Sequence, residues 1–459
     1  MVNFRLESDS IGQREVPIDA YYGVQSLRAH ENFKISGIKT HTEFIKAIVE
    51  IKKAAAITNK QAKAIDDKIA DAMVQACDEI LDGKFMDDFI VDAVQGGAGT
   101  SLNMNANEVV SNRAIEILGG NKGDYSIVHP NDHANCGQST NDVFPSAGKI
   151  ATIRLLEKAI FALETLRIAL NKKAKEFGHV IKMGRTEMQD AVPISFGQSF
   201  NAYANAVKRD TVRFKKAIKE LSTLNMGGTA IGTGITACDE YIDNIVPNLS
   251  TVTDLKLVQA EDLVDATQNL DGFVYVSGIV KACAATISKM SNDLRLMSSG
   301  PRTGFAEINL PAKQNGSSIM PGKINPVIPE VINQIAFNVI GNDTTITMAV
   351  EAGQLELNAF EPIIFHCLFE SLEMLTNGVK VFTSDCIEGL TVNTDVCEDE
   401  VERSIGIVTA LCPFIGYTKA ASLAKKALKE KKTVRTILVE EKIISESELN
   451  EILNPKKMI

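Results

Sequence analysis

Long, proline-poor windows with apolar residues returning every three, four or seven positions constrain this chain more than any other feature. Between Pro145 and Pro193 one face collects Ile153, Leu156, Ile160, Leu163 and Leu170. After Pro193 a second runs Phe196, Phe200, Tyr203, Val207, Phe214, Ile218 and Leu221. Between Pro247 and Pro301 a third carries Val276, Ile279, Cys283, Ile287, Met290 and Leu294. A half-buried strand alternates every second residue, so these steps belong to α-helices. Another window opens after Pro329, and Pro362 is placed to kink or end its helix. Stripes this long need partners along their whole length, which predicts a bundle of long helices and oligomerisation.

The flanks read differently. Residues 1–138 mix short helical patterns with loops such as GGAGTS and HPNDH, and from about 394 the chain becomes charged and short-helical. Strand signal is sparse. At 459 residues the chain exceeds one compact core. The expectation is a mainly α, three-domain chain. It divides into an N-terminal mixed helical domain (1–138), a central long-helix bundle (139–393) and a small C-terminal helical domain (394–459).

Composition narrows the partners. A formal net charge of −10 argues against nucleic acid, which needs a basic surface. No long uncharged apolar run predicts a membrane span, and the polar start MVNFRLESDS has no signal-peptide core, so a cytoplasmic location is expected. Eight scattered cysteines never form C-x-x-C, and six histidines fall in no ligand pattern. Neither a disulfide framework nor a metal site is expected. A small dianion remains compatible, because a few local donors and helix N-termini can hold it.

Four polar, glycine-rich patches interrupt the helices. They are Gly96–Ser101 with the following Leu102-Asn103-Met104-Asn105, Gly137–Asp142, Lys182–Asp190 and Gly316–Pro326. Any one alone reads equally as a turn or helix cap, since Ser, Thr, Asn and Gly suit both. The fourth resists that reading best, combining two hydroxyls, a cation and an amide in Ser317, Ser318, Lys323 and Asn325. It is not a phosphate loop: the spacing from Gly316 to Lys323 is one residue too long, and Ile324 replaces the metal-binding hydroxyl. Gly232-Thr233-Gly234-Ile235-Thr236-Ala237 matches a dinucleotide pattern, but Leu224–Gly228 before it is no buried strand.

Together the patches resemble the aspartase/fumarase superfamily. The stretch GSSIMPGKINP is similar to its signature, and the likeness runs from Glu15-Val16-Pro17 and Tyr21-Tyr22-Gly23-Val24-Gln25 to Glu351–Asn358. Tyr21–Gln25, Thr140 within Gln138–Asp142, and Pro326–Val331 look aspartase-like and not fumarase-like. The resemblance implies elimination of ammonia from L-aspartate to give fumarate, in a homotetramer whose sites draw on three subunits. Fumarase-type dehydration of malate, or a lyase acting on a substituted amine, are the alternatives. It implies Ser317 as base, and Ser318, Thr100, Ser139 and Thr140 around the carboxylate beside the abstracted proton. Lys323 and Asn325 match the positions that hold the other carboxylate, and Asn141 and Thr186 those near the amino group. No metal or organic cofactor is implied. Glu187 departs from the usual His or Gln. It is placed to attract an ammonium, to mark a different amine, or to pair with Arg185. His129–Asp132 resembles a second dicarboxylate site, but it reads more readily as a helix cap, which Asn and Asp favour.

Overall fold

The computed structural model describes residues 3–442 and 444–454. Helices dominate. Five are long: Thr140–Glu176, Phe196–Leu221, Asp271–Met297, Val327–Glu351 and Glu361–Phe382. The predicted stripes are their buried faces. Leu156, Leu170, Phe200, Phe214, Val276 and Leu294 are each at most 1% exposed. Among the described residues, strands form only two-stranded sheets, including the antiparallel pairs Phe4–Asp9 with Gly12–Pro17 and Ile181–Thr186 with Gln189–Ser195.

Three expectations about boundaries need correction. The N-terminal segment is not short-helical throughout, because Thr42–Gln61 is a 20-residue helix. Pro362 neither kinks nor ends a helix; it is the second residue of Glu361–Phe382, where a missing N–H is harmless. Pro145 and Pro247 lie inside Thr140–Glu176 and Asp239–Thr253 and do not bound them. At Pro145 the absent N–H strands the carbonyl of Asn141, four residues earlier. The side chain of buried Asn225 donates to that carbonyl at 3.0 Å, so the helix runs through.

Two compact units emerge from the contacts. The first comprises Met1–Ile160, Val212–Ala282 and Asn338–Met374; the second comprises Phe161–Thr211, Cys283–Phe337 and Leu375–Ile459. The five long helices each supply residues to both. An aromatic cluster of Phe44, Phe144, Phe273, Phe365 and Phe369 centres the first core. The second holds a smaller core of Met183, Ile407, Leu411, Leu423, Ile437 and Leu438 beside the Ile181–Ser195 hairpin.

By length and composition the Asp271–Met297 helix would cross a membrane, yet half of its most apolar window is buried inside the protein. Ser277 and Lys281 on it bind Asp343 at 2.8 and 2.5 Å, as in a core helix.

Candidate active site

In the first unit the site begins at two helix N-termini. Thr100 opens the Thr100–Ile117 helix behind Gly99, whose φ of 89° is left-handed. A Cβ on Gly99 would lie 2.2 Å from the Phe144 ring, so only glycine lets the loop close on the core. The Thr100–Ile117 helix buries Asn103, Asn105, Asn107, Glu108, Ser111 and Asn112, a polar set that no apolar pattern would place inside. Asn105 and Asn112 hold the backbone of neighbouring loops through Asp88 O and Tyr21 O, at 2.9 and 2.8 Å. Glu108 accepts the N–H groups of Gly23, Gln25 and Ser26 at 2.8, 2.9 and 3.1 Å. The helix thus fixes Thr100 by gripping loops as well as by burying Leu102, Val109, Val110 and Ile115.

Ser139, Thr140 and Asn141 sit at the start of the Thr140–Glu176 helix. Ser139 Oγ accepts the Asn141 N–H at 3.3 Å, while Asp142 Oδ1 accepts the Ser139 N–H at 2.9 Å, a reciprocal cap. The cap reading therefore holds for Ser139 and Asp142. Asn103 Nδ2 donates to Thr140 Oγ1 at 3.1 Å, tying this patch to the Thr100 helix. Asn141 Nδ2 donates to Ala230 O at 2.7 Å, and Asp142 Oδ2 accepts the N–H groups of Gly227 and Thr229 at 3.2 and 3.0 Å. Three chain segments are thus pinned around these hydroxyls.

Beneath them lies a lysine that the sequence reading missed. Lys52 is fully buried and donates to Asn135 Oδ1 and Gln138 Oε1 at 3.0 and 2.9 Å. Asn135 Oδ1 also accepts from Asn103 and Asn107. Burial pushes the Lys52 ammonium down to about 7, against the pull of Asp142. Burial pushes the Asp142 carboxyl up to about 6, against its backbone donors and Lys52. A signal was present: Lys52 falls in step with Ile45, Ile48 and Ala55 on the apolar stripe of its helix.

In the second unit the signature forms a closed loop. Gly316 N–H donates to Lys323 O at 2.8 Å, and Asn325 Nδ2 donates to Gly316 O at 2.9 Å. The half-buried Ser317 Oγ accepts the N–H groups of Ile319 and Met320, each at 3.1 Å. Two fixed donors aimed at one hydroxyl oxygen favour negative charge on it. Ser318 and Lys323 are exposed on the same loop.

Thr186 and Glu187 form the tip of the Ile181–Ser195 hairpin. Thr186 pairs with Gln189, and Glu187 and Met188 take φ of 51° and 66°, the two-residue turn that matches strand twist. Both Thr186 and Glu187 are exposed. Arg185 is not the partner of Glu187. Its guanidinium goes to Glu307 at 2.6 Å and Glu400 at 2.9 Å, over the Phe305 ring. Glu307 is fully buried and also lies 3.2 Å from Lys182, so it anchors the base of the hairpin. The sequence reading missed Glu307, which is far from the hairpin along the chain.

His129 caps a helical turn: its Nδ1 accepts the N–H groups of Asn131 and Asp132 at 3.2 and 3.1 Å. It also lines a cavity of about 480 Å³ with Thr100, Ser101 and Arg28. Among the described residues, no group of three or more His, Cys, Asp or Glu is spaced to hold a metal ion.

Comparison with known proteins makes the chain a lyase, a member of the aspartase/fumarase superfamily. A family model described as lyase matches residues 12–341, and one described as fumarase C C-terminus matches residues 407–459. The chain is 51% identical to aspartate ammonia-lyase of Bacillus subtilis (strain 168), over 99% of this chain and 96% of that one. It is 48% identical to aspartate ammonia-lyase of Escherichia coli (strain K12), over 100% and 96%. Among solved structures, a fumarate lyase:delta crystallin from Brucella melitensis bound to cobalt superposes with a TM-score of 0.97 at 46% identity, covering 99% of each chain. A class II fumarase from Schistosoma mansoni superposes at 0.96 with 35% identity, again covering 99% of each.

Proposed function

We propose that this lyase eliminates ammonia from L-aspartate to give fumarate, with Ser317 as the base. The observation that carries the assignment of the base is the pair of backbone N–H groups aimed at Ser317 Oγ. The proton beside a carboxylate is weakly acidic, so the reaction needs a strong base and a place for charge. The Ser317 alkoxide takes the Cβ proton, and the carboxylate next to that carbon gains a second negative charge. Ser318, Thr100, Ser139 and Thr140 donate to it as it forms. Lys323 and Asn325 hold the other carboxylate. Collapse of the doubly charged intermediate then breaks the C–N bond, and ammonia leaves near Asn141 and Thr186.

Glu187 stands at the hairpin tip, where an ionised carboxylate attracts an ammonium and does little for a hydroxyl. The assembly is a homotetramer with a central bundle of long helices, and each site draws its patches from three chains. The exposed apolar residues Phe337, Ile340 and Met348 on the Val327–Glu351 helix support that reading. The segments 1–138, 139–393 and 394–459 are its three domains. Catalysis calls on no metal or organic cofactor.

The test follows fumarate by ultraviolet absorbance, with L-aspartate and L-malate as substrates. Fumarate from aspartate, with kcat falling about 10³-fold or more in Ser317→Ala, is expected for a general base. Faster turnover of malate would decide for a fumarase. Normal turnover by Ser317→Ala would remove Ser317 as the base.

A further inference from the structure

Apart from the residues of the active site, the first unit holds a cavity of about 170 Å³. Phe44, Phe144 and Phe369 wall it, with Phe44 ring centroids 4.7 and 5.3 Å from the other two. His41, Glu370 and Glu373 line it too, and the Glu373 side chain is 58% exposed. Lys39 also contributes, but its ammonium is held by Asp87 at 3.0 Å. His41 lies 3.6 Å from Glu373, and its Nδ1 accepts the Glu43 N–H at 3.1 Å. Burial holds its imidazole below the usual value, against the pull of Glu373 and Glu43. The polar side of the cavity therefore presents the carboxylates of Glu370 and Glu373 beside the rings of His41 and His366.

Size and charge together select an occupant. An apolar cavity of about 150 Å³ holds benzene, so this one takes a six-membered ring with a short arm. Aromatic walls and two carboxylates both favour a positive end. The cation is organic, because no donor set here is spaced for a metal ion.

We propose that this cavity binds a small aralkyl ammonium, ring inward and ammonium towards Glu370 and Glu373, and that its occupancy is felt at Thr100. The route is short. Leu102 and Gln95 also line the cavity, and Gln95 Oε1 accepts the Leu102 N–H at 3.0 Å in the first turn of the Thr100 helix. The Phe144 ring presses on Gly99, the residue before Thr100. A ring entering the cavity displaces Phe144, and Gly99 moves with it.

The probes are benzylamine, benzyl alcohol and benzoate, titrated calorimetrically into the full-length enzyme with and without saturating fumarate. Benzylamine should bind in both cases, benzyl alcohol more weakly and benzoate not at all. Glu370→Gln with Glu373→Gln should weaken benzylamine at least tenfold while leaving basal turnover unchanged. Benzylamine should also change the KM or kcat for aspartate in a mixed, non-competitive pattern. Equal binding of benzoate, unchanged affinity in the double variant, or displacement by fumarate would overturn the site. Binding that leaves aspartate kinetics unaltered would overturn the link to Thr100.

Discussion

Gly99 and Lys52 show how single residues shape the helix starts that bear Thr100 and Thr140. Gly99 combines a left-handed backbone with contact against Phe144, so any side chain meets both penalties. Gly99→Ala should lose about 2–4 kcal/mol of stability, combining left-handed strain with overpacking. Urea midpoints would measure it, and a loss below about 1 kcal/mol would show that the Phe144 ring yields freely. Lys52 makes a prediction about pH. Its folded value of about 7 lies below the 10.5 of an unperturbed lysine. Between these values the unfolded chain binds more protons than the folded one. The stabilising contribution of Lys52 is therefore fully present above 10.5 and lost as pH falls through about 7. Relative to Lys52→Met, the wild type should gain stability from pH 7 to pH 9, by at most about 1.4 kcal/mol per unit. Parallel denaturant curves at the two pH values would contradict this.

At the scale of elements, the Thr140–Glu176 helix explains what was legible beforehand and what was not. Its apolar stripe predicted the helix, since Ile153, Leu156, Leu163 and Leu170 follow the helical period and are all buried. Its start was misplaced, because Pro145 suggests a boundary unless a partner for the Asn141 carbonyl is known. That partner is Asn225, distant in sequence, and no local pattern announces it. Asn225→Ala should cost about 1–3 kcal/mol through the orphaned buried carbonyl. In a Pro145→Ala background the restored N–H takes over, and the same substitution should cost clearly less. Equal costs in both backgrounds would show that Asn225 acts elsewhere, for instance through Thr267 at 3.1 Å. The four patches stood out for a related reason: their glycines, hydroxyls and amides lie at helix starts and tight turns that local sequence encodes. What supports them was not, because Lys52, Asn135 and Glu307 join through space. The exposed tip at Glu187 follows from a turn type that Glu-Met does not advertise, as both residues take positive φ without being glycine.

The molecule as a whole leaves apolar surface that one chain does not cover. On the Val327–Glu351 helix, Phe337 is 65% and Met348 67% exposed, with Ile340 and Thr344 on the same face. On the Thr140–Glu176 helix, Phe161 and Ile168 are 74% and 62% exposed, about two helical turns apart. Faces of this kind on long helices are what a bundle between copies buries. Phe337→Glu with Met348→Lys should therefore reduce the mass seen by light scattering and abolish turnover together. A sharper prediction concerns how the site is shared. If Ser317 and Thr140 reach one site from different chains, then Ser317→Ala and Thr140→Ala are each inactive alone but complementary when mixed. Co-refolded at equal ratio, some sites receive both intact residues, and about one quarter of the wild-type activity should return. If both residues came from one chain, every site in the mixture would carry a defect. Activity in the mixed sample would then stay at the level of the separate variants, and the shared site would have to be abandoned even if the tetramer stood.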